Sequence, residues 1–491
     1  MKKIVLTFKN LVARAGMFAM LCSGFANRAE AKAPDTGKPN VLWIYLEDVT
    51  ALMRLYGTEG VVTPLAESLA ENGVLFNNAF VPAPVCSPCR SSIITGSMGT
   101  TLGLNQHRSS RTKETAIYLP EGYKTVPELF KDAGYSTYNE GKDDYNFWYD
   151  RNKLYDETDG KPARKNWRRL QGGRRIDWAK VPKDKPFFAQ VQLRGGKNKK
   201  KVANPYPLDS VKIPPYYPDH PEFRKLYARH IDCVKITDDE AADLLDRMKK
   251  NGHLDNTIVF FFSDHGMKAP RHKQYPTEQG LEIPFIVRWF GADNNIVKAG
   301  KVRNDLVNAI DLGPTSLALC GLDIPNYMEG KNIFGKGYKR DYVIGFRDRC
   351  DNTIDHIRTV RTKRYRYIKN YFPERPMSQL SYRSGHPEMV TFQKLYDEGK
   401  LNAVQAAYFE RKPHEEFYDL KNDPHCIKNL AEDAKYAKEL YRHRQILNDW
   451  IKETDDKGQY PETEAELRRV YKERKAKCVN PEYDIFRDAR L

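Results

Sequence analysis

The 491-residue sequence predicts an α/β fold built on a buried, largely parallel sheet. Three observations predict it. Continuous apolar runs of strand length occur at Asn40–Leu46, Pro186–Leu193 and Thr257–Ser263, the pattern of strands covered on both faces. Two of these runs stop abruptly at polar pairs, Glu47-Asp48 and Asp264-His265. Stretches with helix start and stop signals lie between them.

Residues 1–33 are set aside. Lys2, Lys3 and Lys9 form a basic start, Ala15 to Ala26 is apolar but too short to span a bilayer, and Ala29-Glu30-Ala31 and Ala31-Lys32-Ala33 offer small-x-small cleavage sites. This reads as a secretory signal peptide, so a periplasmic or secreted location is expected, with no integral membrane segment in the mature chain. Export makes disulfides chemically available to Cys86, Cys89, Cys233, Cys320, Cys350, Cys426 and Cys478, but their pairing does not follow from spacing.

Hydrophobic content of 40% and charged content of 30% fit a globular chain and exclude a disordered or membrane-embedded one. The length accommodates a large core plus a smaller second unit. A net charge of +16 favours an anionic partner. Nucleic acid is disfavoured, because the basic residues are dispersed and export is expected. The densest run, Lys197 to Lys201, reads as a solvated loop.

In chain order, Asn40–Leu46 is the first strand, and its acidic end stands where open α/β sheets bind ligands. A helix follows, with Pro64 near its start and Gly73 beyond its end. Val74 to Val81 reads loosely as one strand and leads to Cys86-Ser87-Pro88-Cys89-Arg90, which opens a helix through Thr95-Gly96. A cysteine there meets the positive end of a helix dipole, and Arg90 returns to the same side. Cys86 and Cys89 also read as a redox pair or half a zinc site, although no second Cys-x-x-Cys or Cys-x-x-His occurs to complete the latter. Asn105 to Arg108 is a polar loop. Val126–Asp132 reads as helix, Tyr135–Tyr138 as strand, and Lys142 follows near that strand's end. Residues 145–184 read as a polar insertion and Phe223 to Asn251 as a long helix. After Asp264-His265 come Lys273 in a loop and a strand within Glu282–Trp289. Arg358–Arg361 and Tyr365–Ile368 alternate as strands, and the tail from Ala431 to about Lys477 is charged and helical.

Cys86-x-Pro88-x-Arg90 with Thr95-Gly96 behind it, and Gly134-Tyr135-x-Thr137-x-x-x-Gly141-Lys142, resemble the two signatures of the formylglycine-dependent (type I) sulfatases of the alkaline phosphatase superfamily. The strand-end acids, Lys273, and Glu416–Leu420 with Asn422-Asp423-Pro424 are similar to later parts of that family, so the resemblance spans about Pro39 to Leu430. It implies an alkaline phosphatase-like α/β/α sandwich with a smaller C-terminal α+β subdomain, divided as a catalytic domain over 34–365 and a subdomain over 366–491. It also implies that a separate formylglycine-generating enzyme oxidises Cys86, and that the hydrated aldehyde attacks the sulfur of a sulfate ester and later expels sulfate. Glu47, Asp48, Cys86, Asp264 and His265 would hold a metal. Hard carboxylates favour Ca2+ or Mg2+, the histidine tilts toward zinc or manganese, and the resemblance selects Ca2+. Arg90, Lys142 and Lys273 would surround the sulfate.

Two departures leave the leaving-group acid open. Asp144 and Gly195-Gly196-Lys197 stand where relatives often carry histidines. His107, Lys273, Lys197 and a bound water are the candidates. Asn105, Arg108, Arg347 and Arg349 are candidate substrate contacts, with a structural salt-bridge cluster as an equal alternative for the Arg347–Asp351 stretch. The expected substrate is a sulfated carbohydrate: an algal polysaccharide, a mucin glycan or a glycosaminoglycan fragment. A phosphatase or phosphodiesterase of the same superfamily, a sulfamidase, and an inactive glycan-binding relative are the rival readings.

Overall fold

The computed structural model describes residues 37–159, 172–291 and 295–487. The expected signal segment and part of the 145–184 insertion lie outside them.

Side-chain alternation along strand β1 (Asn40–Leu46) divides the core into two layers. Val41, Trp43 and Tyr45 share a cluster with Cys89, Ile93, Val126, Phe130, Leu312 and Leu317. Leu42, Ile44 and Leu46 share another with Ala66, Leu69, Val234, Leu244 and Met248. Helices Cys86–Thr95, Val126–Asp132 and Leu312–Leu319 therefore cover one face. Helices Pro64–Glu71 and Pro221–Lys250 cover the other. This is the α/β/α sandwich expected from strands apolar on both sides.

The other strands are β2 (Val74–Phe76), β3 (Ala79–Phe80), β4 (Ser136–Lys142), β5 (Gly172–Gly173), β6 (Phe187–Leu193), β7 (Thr257–Ser263), β8 (Phe285–Phe290), β9 (Lys301–Arg303), β10 (Val307–Asn308), β11 (Tyr342–Arg347), β12 (Ile357–Thr362), β13 (Tyr365–Asn370) and β14 (Glu415–Asp419). The main sheet has eight strands in the order β5-β4-β6-β1-β7-β8-β2-β9. Neighbours β4, β6, β1 and β7 run parallel, so their carboxyl ends share one edge. Leu46 pairs with Leu193 on one side and Ser263 on the other, which sets Glu47, Arg194 and Asp264 level.

Two expectations change. The run from Val74 to Val81 is two short strands, since β2 joins the main sheet and β3 pairs with β10. Asn77 and Asn78 break it by turning their amides to Asn304, at 2.9 and 3.0 Å. The second sheet, β11-β12-β13-β14, is wholly antiparallel. The expected division at 365/366 falls inside β13, and the sheet begins at Tyr342. Helix Ala437–Thr454 packs on it, with Leu440, Leu447 and Trp450 in the same cluster as Val360, Tyr367 and Phe417. Among the described residues no helix is long and apolar enough to cross a membrane.

Candidate active site

Four parallel strands deliver the site. β1 ends in Glu47-Asp48, β4 in Lys142 and β7 in Asp264-His265, and β6 leads through a short turn to Lys197. Helix Cys86–Thr95 points its first residue at them. Pro88 lies in the first turn, where a missing N–H breaks no intrahelical bond. All ten residues of this helix are buried, and its polar groups are internally satisfied. Ser92 Oγ donates to the Pro88 carbonyl at 2.7 Å, and Ser91 Oγ accepts from the Asn146 N–H at 2.8 Å. Gly96 closes the helix at φ 67°, the left-handed geometry that glycine adopts without strain.

Cys86 Sγ lies 3.2 Å from His265 Nε2, 3.5 Å from Lys273 Nζ and 4.0 Å from Lys197 Nζ. The ligand atoms of Asp48, Cys86, Asp264 and His265 fall within 4.8 Å of one another. His265 Nδ1 is paired with the Gly266 carbonyl at 2.9 Å, which leaves Nε2 as the free lone pair. Two carboxylates, an imidazole and the residue-86 side chain thus fit a cation.

Glu47 is not in this group. Its Oε1 accepts from both Lys142 and Lys197 at 2.6 Å. Asp48 accepts from Lys273 at 2.7 and 2.8 Å, with Lys197 at 3.5 Å. Arg90 does not face open space for an anion either. It bonds Asp264 Oδ2 through Nε and Nη2, at 3.2 and 2.8 Å, reaches Gln192 with Nη1, and lies 4.8 Å over the Tyr45 ring.

The charges tune one another. Burial opposes ionisation of Glu47 and Asp48, yet the lysines overcome it and hold both carboxyls below their ordinary range. Burial likewise opposes a Cys86 thiolate, but Lys142, Lys197, Lys273 and His265 bring its pKa down to about 6. Asp48, Arg108, Asp144, Gln274 and Asp351 all have positive φ, between 52° and 80°. For non-glycine residues this backbone is uncommon, least so for the aspartates.

Cys86, Asp48, Lys142, Lys273, Asp264 and His265 therefore meet, and Lys197 joins them. Its placement depends on two glycines. A Cβ at Gly195 would stand 2.0 Å from the Glu47 carbonyl, and one at Gly196 2.4 Å from that of Asp48, so the turn rides directly on the β1 end. The signal in the sequence was Gly-Gly before a lysine at a strand end. Asp144 was also legible only as a departure. It pairs with Lys142 at 3.2 Å and Arg111 at 2.8 Å and so steadies Lys142.

Other candidates are placed elsewhere. His107 meets Asp351 at 3.5 Å and Cys350 at 3.7 Å, and is buried. Asn105 donates to Asp348 at 2.8 Å. Arg349 is held by Glu462, Glu466 and the carbonyls of His107 and Asp351. Arg347 stacks on Tyr275 at 4.8 Å, with Asp355 at 3.7 Å. These three are buried and not surface contacts; Asn105 and Arg349 have fixed hydrogen-bond partners, whereas Arg347 Nε and Nη1 have none and the group rests on the Tyr275 ring and the longer Asp355 contact. Of the four substrate candidates only Arg108 keeps a partly exposed side chain, 39%. Its backbone N–H bonds Ser87 Oγ at 2.9 Å, beside Cys86. The described cysteines are unpaired. Cys89 Sγ donates to the Asp264 carbonyl at 2.8 Å.

A helix-covered sheet whose parallel ends carry carboxylates, a histidine and a ring of lysines around a helix N-terminus defines an alkaline phosphatase-like hydrolase. Residues 39–322 match the Sulfatase family model, and residues 270–411 match the N-sulphoglucosamine sulphohydrolase C-terminal model. An ulvan-active sulfatase of Formosa agariphila is 30% identical over 486 residues, covering 89% of this chain and 78% of its own. Human N-sulphoglucosamine sulphohydrolase is 25% identical over 479 residues, covering 85% of this chain and 90% of its own. A solved 2-O GAG sulfatase shares the fold, with TM-score 0.62 at 20% identity over 88% of this chain and 96% of its own. The chain belongs to the sulfatase family and is a sulfuric ester hydrolase.

Proposed function

We propose that this chain is an exported, periplasmic or secreted, sulfatase that cleaves sulfate esters of a carbohydrate, with residue 86 acting as formylglycine. The observation that carries this reading is the convergence of Lys273, Lys197 and His265 on Cys86 Sγ. The names of its relatives, ulvan-active sulfatase and N-sulphoglucosamine sulphohydrolase among them, support a sulfated carbohydrate as substrate.

The cysteine sulfur stands in for the hydroxyl of the hydrated aldehyde that a formylglycine-generating enzyme would install. Asp48, Asp264, His265 and the residue-86 side chain would hold the cation; its carboxylates suit Ca2+ or Mg2+, and the resemblance to sulfatases selects Ca2+. When bound, such an ion supplies positive charge that favours deprotonation of a nearby hydroxyl. Glu47 is assigned as the anchor of two lysines and not as a ligand.

Lys142 and Lys273 flank residue 86 and offer their ammoniums to sulfate oxygens, where charge grows in the transition state. Arg90 positions Asp264. Lys197 donates the proton to the leaving oxygen. Its side chain is 38% exposed, against 14% for Lys142 and 3% for Lys273, so it stands on the open side where the sugar departs. Glu47 anchors its ammonium at 2.6 Å beside residue 86. Arg108 stands at the same mouth and would contact the substrate.

Screening regiospecifically sulfated sugars for sulfate release tests the substrate class. Release from none of them, with release from phosphate esters, would overturn it. N-terminal sequencing of the exported protein, expected to begin near residue 34, tests export. The match of residues 270–411 to the N-sulphoglucosamine sulphohydrolase model favours one second reading, cleavage of an N-sulfate, which the same screen separates.

A further inference from the structure

A second group of metal-competent side chains stands apart from the four around residue 86. His107, Cys350 and Asp351 bring one ligand atom each within 4.8 Å of the others, and all three are buried. They come from two loops. The 105–108 loop is tied to residues 349–351 by the His107 N–H bonding the Arg349 carbonyl at 2.9 Å and by Arg349 Nη1 bonding the His107 carbonyl at 3.1 Å.

The spacing is long for hydrogen bonds and suits a shared ion. His107 Nδ1 is 3.5 Å from Asp351 Oδ2 and 3.7 Å from Cys350 Sγ, both too long for strong bonds. Around a tetrahedral zinc, with nitrogen and oxygen at about 2.0 Å and sulfur at about 2.3 Å, such donors stand about 3.3 to 3.6 Å apart. Two buried atoms also lack hydrogen-bond partners, Asp351 Oδ2 and His107 Nε2. A buried carboxylate oxygen whose nearest partner, His107 Nδ1, stands 3.5 Å away is costly.

Nearby cations do not take that oxygen. Arg108 and Arg474 approach Asp351 on its other oxygen, Oδ1, at 3.5 and 3.2 Å. Arg349 is engaged by Glu462 and Glu466, and Arg347 has Asp355 at 3.7 Å. Gln274 Nε2 contacts Cys350 Sγ at 3.0 Å, the kind of donor that supports a sulfur carrying negative charge.

We propose that His107, Cys350 and Asp351 form a second metal centre, for a soft divalent ion of the zinc class, which pins the 105–108 loop to the 349–351 segment beside the reaction centre. The donor set separates it from the first. One thiol, one imidazole and one carboxylate suit zinc, whereas the carboxylate-rich group at the sheet edge suits a harder ion. A thiol binds such an ion as the thiolate. Binding therefore forms the metal–sulfur bond and releases the thiol proton to solvent. Because Arg108 follows His107 and Gln274 follows Lys273, the pin would fix two residues at the mouth of the site.

The test uses the full chain with Cys86→Ala, which removes the thiol of the other cluster. After dialysis against excess calcium with limiting zinc, about one zinc per chain should remain by elemental analysis. Cobalt loaded in its place should show a cobalt–thiolate charge-transfer band. Adding Cys350→Ser or Asp351→Asn should cut retained zinc at least about tenfold, and Cys350→Ser should abolish the band. No band in the Cys86→Ala chain, or a band surviving Cys350→Ser, would overturn the proposal. The first of these results needs no further variant and so stands even if Cys350→Ser does not fold.

Discussion

Two sets of buried charges in this molecule are wired in opposite ways. At the sheet edge a carboxylate serves more than one cation, as Glu47 takes Lys142 and Lys197 and Asp48 takes Lys273 and Lys197. Behind it, among the second sheet and the C-terminal helices, a cation is served by more than one carboxylate. Arg358 bonds Asp348 and Asp456, and Arg349 bonds Glu462 and Glu466. The second arrangement has no cation to spare and locks distant segments together. The first leaves positive charge over, on flexible lysines, around residue 86. An anionic substrate completes that set, while the arginine set is complete without one.

Variants that separate rate from stability break or sharpen this contrast. The largest effect is expected from Cys86→Ala, which should lower sulfate release by at least about 10⁴-fold while leaving the thermal midpoint nearly unchanged. Arg358→Ala should do the reverse. It leaves Asp348 and Asp456 buried without their cation and should cost about 3–5 kcal/mol in urea unfolding, with turnover retained wherever the chain is folded. Lys197→Ala should lower turnover about 10²-fold on sugar sulfates and less on aryl sulfates, whose leaving groups need less protonation. It should not destabilise, because Lys142 still neutralises Glu47. Equal losses on both substrates would take the acid role from Lys197.

The smallest effect concerns acid stability. Asp144 has its pKa lowered from 3.8 to about 2, because Lys142 and Arg111 overcome burial. A depressed carboxyl stabilises the fold above its unfolded pKa and loses that contribution as pH falls through the folded value. About 2 kcal/mol should therefore disappear between about pH 4 and pH 2. Asp144→Asn should flatten that part of the stability curve measured by urea titration. An unchanged acid limb would mean that Asp144 is not charge-paired in solution.

The strand-end chemistry was legible because apolar runs buried on both faces leave little choice about where their polar ends emerge. Asn40–Leu46 and Thr257–Ser263 were readable to the residue, and with them Asp48 and Asp264-His265. For Arg347 and Arg349 the sequence left substrate contact and salt-bridge scaffold both open, and Asn105 was not legible as scaffold. Their partners Asp355, Glu462, Glu466 and Asp348 are mostly distant in sequence, and an arginine in a polar stretch carries no mark of whether it ends up sealed. Glu47 was placed with the metal because it adjoins Asp48. In the folded chain its Oε1 accepts from Lys142 and Lys197, residues far along the sequence. The break at Asn77-Asn78 escaped because it depends on Asn304, far along the chain.

The central claim is that residue 86 works as an aldehyde hydrate and not as a thiol. Mass spectrometry of the peptide carrying residue 86, taken from a catalytically active preparation of the exported protein, tests it most directly. The account predicts a mass in which an aldehyde replaces the cysteine CH2SH, in proportion to specific activity. An active preparation in which residue 86 is entirely an unmodified thiol would contradict it.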